Sequence, residues 1–157
     1  MRQTKAALTW IVGILREEGI PFEIDGGLAA HLYGAERELA DIDINVATRG
    51  DFDKIVPYVR EYLRFGPARY EDEHWRVYMM TLKVDGQNID LSPVDEMQYY
   101  DQDKAAWVPF PPLGNARTLR YDDLELPCIN EAVLIAYKKQ IDRGVDKKDV
   151  AAMETTR

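Results

Sequence analysis

Two aspartates one residue apart, Asp41 and Asp43, sit in the run ADIDINV, and a third, Asp90, sits in QNIDLSP. Asp43 and Asp90 are bracketed by isoleucine or leucine, and Asp41 is followed by Ile42. On a strand, residues two apart share a face, so Asp41 and Asp43 point together while Ile42 and Ile44 point into a core. A carboxylate beside a buried strand is costly unless it is paired or holds a metal, and two on one side also repel. If the two strands are neighbours, three carboxylates converge. Such a cluster suits a hard, oxygen-seeking cation, Mg²⁺ or Mn²⁺, which takes a few carboxylates and leaves positions for phosphate oxygens. Two such ions can clamp an in-line displacement at phosphorus.

A glycine pair, Gly26-Gly27, precedes the aspartates by about the length of a helix. A glycine turn opening a helix exposes backbone N–H groups, which together with the helix dipole hold phosphate. A tight strand-to-helix turn explains the same pair without any ligand. The order around it is more specific than either part. A strand over Phe22 and Ile24 enters the glycines, and a helix over Leu28–Leu32 stops at Gly34. A charged loop spans 35–40, and Ile42–Val46 is a buried strand.

The remaining elements frame this segment. Apolar positions at helical spacing from Ala6 to Leu15 predict a helix over 5–18, ending near Gly19. Asp51 is expected to cap a helix over Phe52–Leu63, which Gly66-Pro67 follows as an interruption. Trp75–Val84 reads as a strand, Asp85-Gly86 as a hairpin turn and Asn88–Leu91 as the returning strand. Residues 101–117, with Pro109, Pro111 and Pro112, are expected to be irregular. Tyr121–Leu126 reads as a short strand and Ile129–Ile141 as a helix, and Asp146 onward as a last turn or short helix. The expected architecture is α+β: a small mixed β-sheet flanked by helices, in one domain over residues 1–157.

Composition bounds the function. The 157 residues are 46% hydrophobic and 31% charged, the balance of a globular chain with a real core. The formal net charge of −8 argues against a broad nucleic-acid-binding face. It suits cationic small molecules, though most acidic proteins are simply soluble. Cys128 is the only cysteine, so neither an internal disulfide nor a cysteine-based zinc site is available, and it reads as a small buried hydrophobe. The N-terminal apolar run is short and broken by charge, and no stretch approaches the roughly 20 apolar residues of a membrane span. A cytoplasmic protein is expected.

Other side chains carry weaker signals. His31 reads as a packed or surface histidine, and His74, after Glu71-Asp72-Glu73, as part of a solvated loop. Tyr99, Tyr100 and Trp107 either stack on a base or pack under the proline segment. Arg37, in the loop before the aspartate pair, either touches phosphate or is solvated. Asp122-Asp123 looks like a turn.

Taken together, these motifs resemble the DNA polymerase β-type nucleotidyltransferase superfamily, and more narrowly its small prokaryotic members related to AbiEii-type toxins and antibiotic nucleotidyltransferases. The pattern in that superfamily is a glycine turn, a helix, a DxD pair and a third aspartate on a later strand. Gly26, Gly27, Asp41, Asp43 and Asp90 match it. The tail LIAYKKQIDRGVDKKDV is similar to the C-terminal helix of these relatives. The resemblance implies a minimal nucleotidyltransferase fold and transfer of a nucleoside monophosphate from an NTP to a hydroxyl. It implies Asp41, Asp43 and Asp90 as metal ligands and the triphosphate on the turn at Gly26, Gly27 and Leu28. It places Lys138 or Lys139 near the triphosphate, with Arg143 and Asp149 organising the segment. Asp90 would also accept the acceptor's proton. The acceptor is open among a small molecule, a tRNA end and a protein side chain. Many relatives carry a larger helical domain for the acceptor, so a homodimer or partner protein is a further expectation. A competing reading is a module of this type without turnover, serving as an antitoxin-type partner or scaffold.

Overall fold

A computed structural model describes residues 3–155. The chain opens with helix α1 (Thr4–Glu17), whose buried face is Ala7, Leu8, Ile11, Val12 and Leu15, as the helical spacing of its apolar residues requires. Strand β1 (Phe22–Asp25) runs directly into helix α2 (Gly26–Leu32), and strand β2 (Asp41–Val46) follows the charged loop. Helix α3 (Asp51–Val59) ends in a 3₁₀ turn over Arg60–Tyr62. Strands β3 (Leu63–Glu71), β4 (Trp75–Val84) and β5 (Gln87–Pro93) come next. They are followed by two hairpins, β6 (Gln98–Asp101) with β7 (Ala106–Pro109), and β8 (Arg117–Tyr121) with β9 (Leu124–Cys128). Helices α4 (Glu131–Ile141) and α5 (Gly144–Thr155) close the chain.

The strands form one mixed sheet in the order β7-β6-β4-β5-β2-β1-β9-β8, with β3 paired to β4 beside that path. The β2–β5 and β1–β9 pairs are parallel, and β1–β2, β4–β5, β4–β6 and both hairpins are antiparallel. Alternation divides the central strands cleanly. Ile24, Ile42, Ile44, Ile89 and Leu91 are fully or almost fully buried and join α1 and α3 in a single core. Asp25, Asp43 and Asp90 occupy the opposite face of the same strands.

The α+β architecture with a mixed sheet is as expected, but the sheet is larger: nine strands among the described residues. Gly66-Pro67 does not end an element. β3 runs through it with bulges between Leu63 and Ala68. There the chain presses against its neighbour, for a Cβ at Gly66 (φ +73°) would lie 2.3 Å from the Met79 carbonyl oxygen. The 101–117 segment is only partly irregular, because a turn at 102–105 closes the β6–β7 hairpin. Asp101 accepts from the Lys104 amide there, and Ala105 takes φ +51°. Asp51 is the first residue of α3 rather than its cap. Gly50 holds the cap position, and the Asp51 carboxylate accepts from the Thr48 amide. The last segment is a full 12-residue helix, since α5 buries Asp146, Asp149, Val150 and Met153 at helical spacing. Two of those four positions are acidic, which hides the apolar period from a sequence reading.

The bulge gives a direct check. Gly66→Ala would force a left-handed backbone and a backbone clash together, so it is expected to cost about 1–3 kcal/mol or more. A urea midpoint that falls clearly below wild type would show it. An unchanged midpoint would mean that β3 does not press on β4 as described.

Candidate active site

The registers of four strands set one row of polar side chains across the sheet. Thr81 on β4 pairs with Asp90 on β5, Asp90 with Asp43 on β2, and Asp43 with Asp25 on β1. Asp41 stands two residues before Asp43 on the same face. All five line one cavity of about 630 Å³. Gly26 and Gly27 lie at the β1 end of the row, where the chain turns from β1 into α2.

Each member has a distinct environment. Asp25 is buried and fully engaged, accepting from the Gly26 amide (2.8 Å), the Asn45 side-chain amide (2.8 Å) and the Tyr137 hydroxyl (2.7 Å). Burial and the Asp25 carboxylate push the Tyr137 hydroxyl well above its ordinary range, which keeps it protonated and donating. Asp90 accepts from Thr81 Oγ1 at 2.6 Å. Burial raises the Asp90 carboxyl, the Thr81 bond works against that, and the Asp41 charge adds to it. Asp43 is pushed well above the usual carboxylate range by burial first and then by Asp90, Asp25 and Asp41, with Lys138 opposing. Carboxylates about 5 Å apart repel by about 3 kcal/mol at an effective dielectric near 20. The row therefore calls for positive charge.

A divalent cation fits that demand through the donor set rather than through a finished cage. Among the described residues no three His, Cys, Asp or Glu side chains stand close enough together to enclose a metal ion by themselves. The three aspartates expected as ligands thus share a cavity floor without closing on one point. Mg²⁺ needs only one or two protein carboxylates when phosphate and water complete its shell. The backbone leaves room beside Asp43 because position 26 is glycine. A Cβ there (φ +60°) would fall 2.0 Å from Asp43 Oδ2.

Helix α4, the α4–α5 connection and the loop before β2 supply the cations. Lys138, 2% exposed, donates to Asp146 (3.2 Å) and Asp149 (3.0 Å). Asp149 also takes a 2.6 Å bond from Arg37 Nη1, and Arg143 bonds Asp146 through Nε at 2.7 Å. Three cations thus share two buried carboxylates. Arg37, Lys138 and Arg143 all border the cavity. Arg37 lies directly over the glycine turn, where a Cβ on Gly27 would meet its guanidinium carbon at 2.8 Å. Its alternatives are resolved in part: it is an ion-paired residue at the cavity, not a solvated loop arginine.

Other expectations divide. Lys139 is not at the cavity, because it is half-exposed and pairs with Glu154. The Leu28 side chain is buried in the core, so only its backbone is available to a ligand. The Gly26 amide is committed to Asp25, which leaves the amides of Gly27 and Leu28 as the candidate donors of the turn. Tyr99 packs against Trp75, Phe110 and Tyr137, and Tyr100 stands edge-on to Trp107, away from the cavity. His31 is half-buried with Nδ1 at 3.0 Å from the Ala35 carbonyl oxygen, and His74 sits in the β3–β4 turn beside Glu73. Cys128 is buried. No helix among the described residues is long and apolar enough to cross a membrane. Sequence reading missed Asp25, Thr81 and Tyr137. For Asp25 a signal existed: an aspartate between a buried strand and a glycine-led helix is an N-cap pointed at whatever faces the turn.

The architecture has solved counterparts. A protein of Thermotoga maritima assigned to the nucleotidyltransferases superposes with a TM-score of 0.71 at 17% identity, over 100% of this chain and 97% of its own. The chain has the nucleotidyltransferase fold. The lincosamide antibiotic adenylyltransferase LnuA, solved with lincomycin bound, matches with a TM-score of 0.62 at 20% identity, covering 96% of each chain. ANT(2'')-Ia in complex with adenylyl-2''-tobramycin matches at 0.61 and 15%, covering 98% of this chain and 90% of its own. No protein-family model matches the sequence, and no curated protein matches it. On this nucleotidyltransferase fold the acidic row and the glycine turn border the same cavity as Arg37, Lys138 and Arg143.

The ion network has a pH signature. Burial disfavours the Asp146 charge, but hydrogen bonds from Arg143 and the Lys138 charge outweigh it and hold the carboxyl below its ordinary value of 3.8. A carboxyl lowered in the folded state contributes stability above the unfolded value and loses it as pH falls through the folded one. Asp146→Asn is expected to lower stability at neutral pH, by about 3–5 kcal/mol for a broken buried pair, and to flatten the loss on acidification below 3.8. Denaturant midpoints measured from neutral to acid pH check both. An Asn variant that keeps the wild-type acid limb would show that Asp146 does not carry it.

Proposed function

We propose that this protein is a divalent-cation-dependent nucleotidyltransferase that moves a nucleoside monophosphate from an NTP to a hydroxyl acceptor. The observation that carries the reading is the in-register row Thr81–Asp90–Asp43–Asp25, which ends at a glycine turn overlain by Arg37. The row has a direction. Its β1 end offers backbone amides, Arg37 and Lys138 to the triphosphate. Its β4 end offers Asp90 to the acceptor.

In the reaction the acceptor hydroxyl oxygen attacks the α-phosphorus. The new O–P bond forms as the bond from that phosphorus to the bridging oxygen of the β-phosphate breaks. Pyrophosphate leaves with the electron pair, and the hydroxyl proton passes to Asp90. Thr81 occupies Asp90 Oδ1, which turns the other oxygen to the incoming proton. The raised affinity of Asp90 for a proton suits it to that role. Asp41 and Asp43 would hold Mg²⁺ or Mn²⁺, with Asp90 on the acceptor side. The bound ion would neutralise charge on the departing pyrophosphate. Tyr137 and Asn45 fix Asp25, and through it the glycine turn, so the remaining task is positioning and electrostatics. The LnuA and ANT(2'')-Ia structures hold antibiotics, which favours a small-molecule acceptor over a tRNA end. The net charge of −8 points the same way.

Asp43→Asn separates this reading from a structural one. Transfer from α-labelled ATP with Mg²⁺ to acceptors in fractionated cell extract is expected to fall by several orders of magnitude, on the order of the kilocalories a metal supplies at the transition state. The thermal midpoint in chelator is expected to hold or rise, because a like charge has left the row. A less stable variant that still transfers at the wild-type rate would remove Asp43 from the site.

A further inference from the structure

The cavity has a second wall that the transfer chemistry does not use. On β4 the side chains of Trp75, Val77, Met79 and Thr81 alternate onto one face and all border the cavity. On β3, Tyr70 pairs with Val77 and Phe65 with Thr81. The wall thus starts at Thr81, which is bonded to Asp90, and runs outward as Phe65, Met79, Val77, Tyr70 and Trp75. Four large apolar side chains among the described residues are strongly exposed, and three of them border this cavity: Phe65 (40%), Tyr70 (43%) and Val145 (37%). Tyr70 directs its hydroxyl to Asp72 at 2.9 Å, which leaves the ring as its contribution to the cavity. The acidic residues that border the cavity are Asp25, Asp41, Asp43 and Asp90, all on its floor. Val145 and Arg143, from the start of α5 and the residue before it, also border the cavity.

We propose that this β3–β4 wall is the acceptor subsite, and that the acceptor is a small hydroxylated molecule with a flat apolar face and no cluster of positive charges. The inference rests on the transferase reading and adds the acceptor's class. Position supports it, because Thr81 and Phe65 stand at the Asp90 end of the row, the opposite end from the glycine turn. Charge supports it too. A polycation needs carboxylates along its length. The carboxylates that border the cavity are those of the row, which the transferase reading assigns to the metal or, for Asp25, to three protein donors, and Arg143 borders it as well. The Asp72 carboxylate beside the wall is taken up by the Tyr70 hydroxyl and the His74 and Trp75 amides. A flat face gains from aromatic and thioether contact. Exposed rings on a surface of net charge −8 are otherwise a liability for solubility, and a bound ligand covers them.

The test uses 4-nitrophenyl β-D-glucopyranoside as an aryl polyol, methyl β-D-glucopyranoside as its counterpart without the ring, and tobramycin as a polycation. Binding is followed by saturation-transfer NMR and calorimetry, with and without ATP and Mg²⁺. The aryl glucoside is expected to bind saturably and more tightly than either of the others. The double variant Phe65→Ala/Tyr70→Ala is expected to weaken it roughly tenfold, the scale of two lost ring contacts. Tyr70→Phe, which keeps the ring, should bind like wild type. Affinity for ATP with Mg²⁺ should change less than twofold in the double variant. Three results would each overturn the proposal: no saturable binding of the aryl glucoside, tighter binding of tobramycin, or loss of ATP affinity in the double variant, which would make the wall a base site. So would a wild-type dimer that the double variant dissociates in sedimentation, since a second copy would then be the occupant. Wild-type protein that fails to bind ATP at all would instead sink the transferase reading, whatever the glucosides do.

Discussion

Like charges held side by side on adjacent strands are the constraint from which the rest of the site follows. The β2–β5 and β1–β2 registers place Asp90, Asp43 and Asp25 next to one another on one face. A shift of one residue in either register would turn an aspartate into the core and an isoleucine into the cavity. Ile24, Ile42, Ile44, Ile89 and Leu91 therefore enforce the cost of the acidic row, because they bury only in the register that assembles it. The apolar half of the sheet stabilises what the polar half opposes.

The protein relieves the repulsion unevenly, and the unevenness sets the chemistry. Asp25 is satisfied by three protein donors and serves as a fixed strut. Asp90 is partly satisfied by Thr81. Asp43 is raised by burial and by Asp90, Asp25 and Asp41, and Lys138, which opposes that, is itself committed to Asp146 and Asp149. The gradient from β1 to β5 therefore leaves the middle of the row as the place where an external cation gains most. The ion network that joins the 35–40 loop to α4, α5 and their connection works in the other sense. Its three cations and two carboxylates bring Arg37 over the glycine turn, where an anionic ligand gains most.

How much of this was legible in the sequence depends on how each residue departs from its surroundings. Asp41, Asp43 and Asp90 stand out because each interrupts an aliphatic strand, and the glycine pair stands out because little else tolerates its geometry. Asp146 and Asp149 do the opposite. They take buried positions in a helix whose exposed face is also charged, so the period that announces a core helix is absent. Thr81 is invisible in a strand rich in residues that favour strands anyway, and its role appears only through the register that sets it beside Asp90. Strand β3 was hidden by Gly66-Pro67, a pair that ends most elements but here marks a bulge pressed against β4. Local chemistry could be read from the sequence; partners supplied by distant strands and helices could not.

On the proposed function, the acidic row and the glycine turn together accept a triphosphate only when a divalent cation bridges them. Calorimetric titration of the wild-type protein with ATP, first in Mg²⁺ and then in chelator, tests it most directly. Without the cation, triphosphate and carboxylates repel across a partly buried site by an amount on the order of kilocalories per mole. Saturable binding in Mg²⁺ and a loss of roughly tenfold or more in chelator are expected. Equal affinity under both conditions would contradict it.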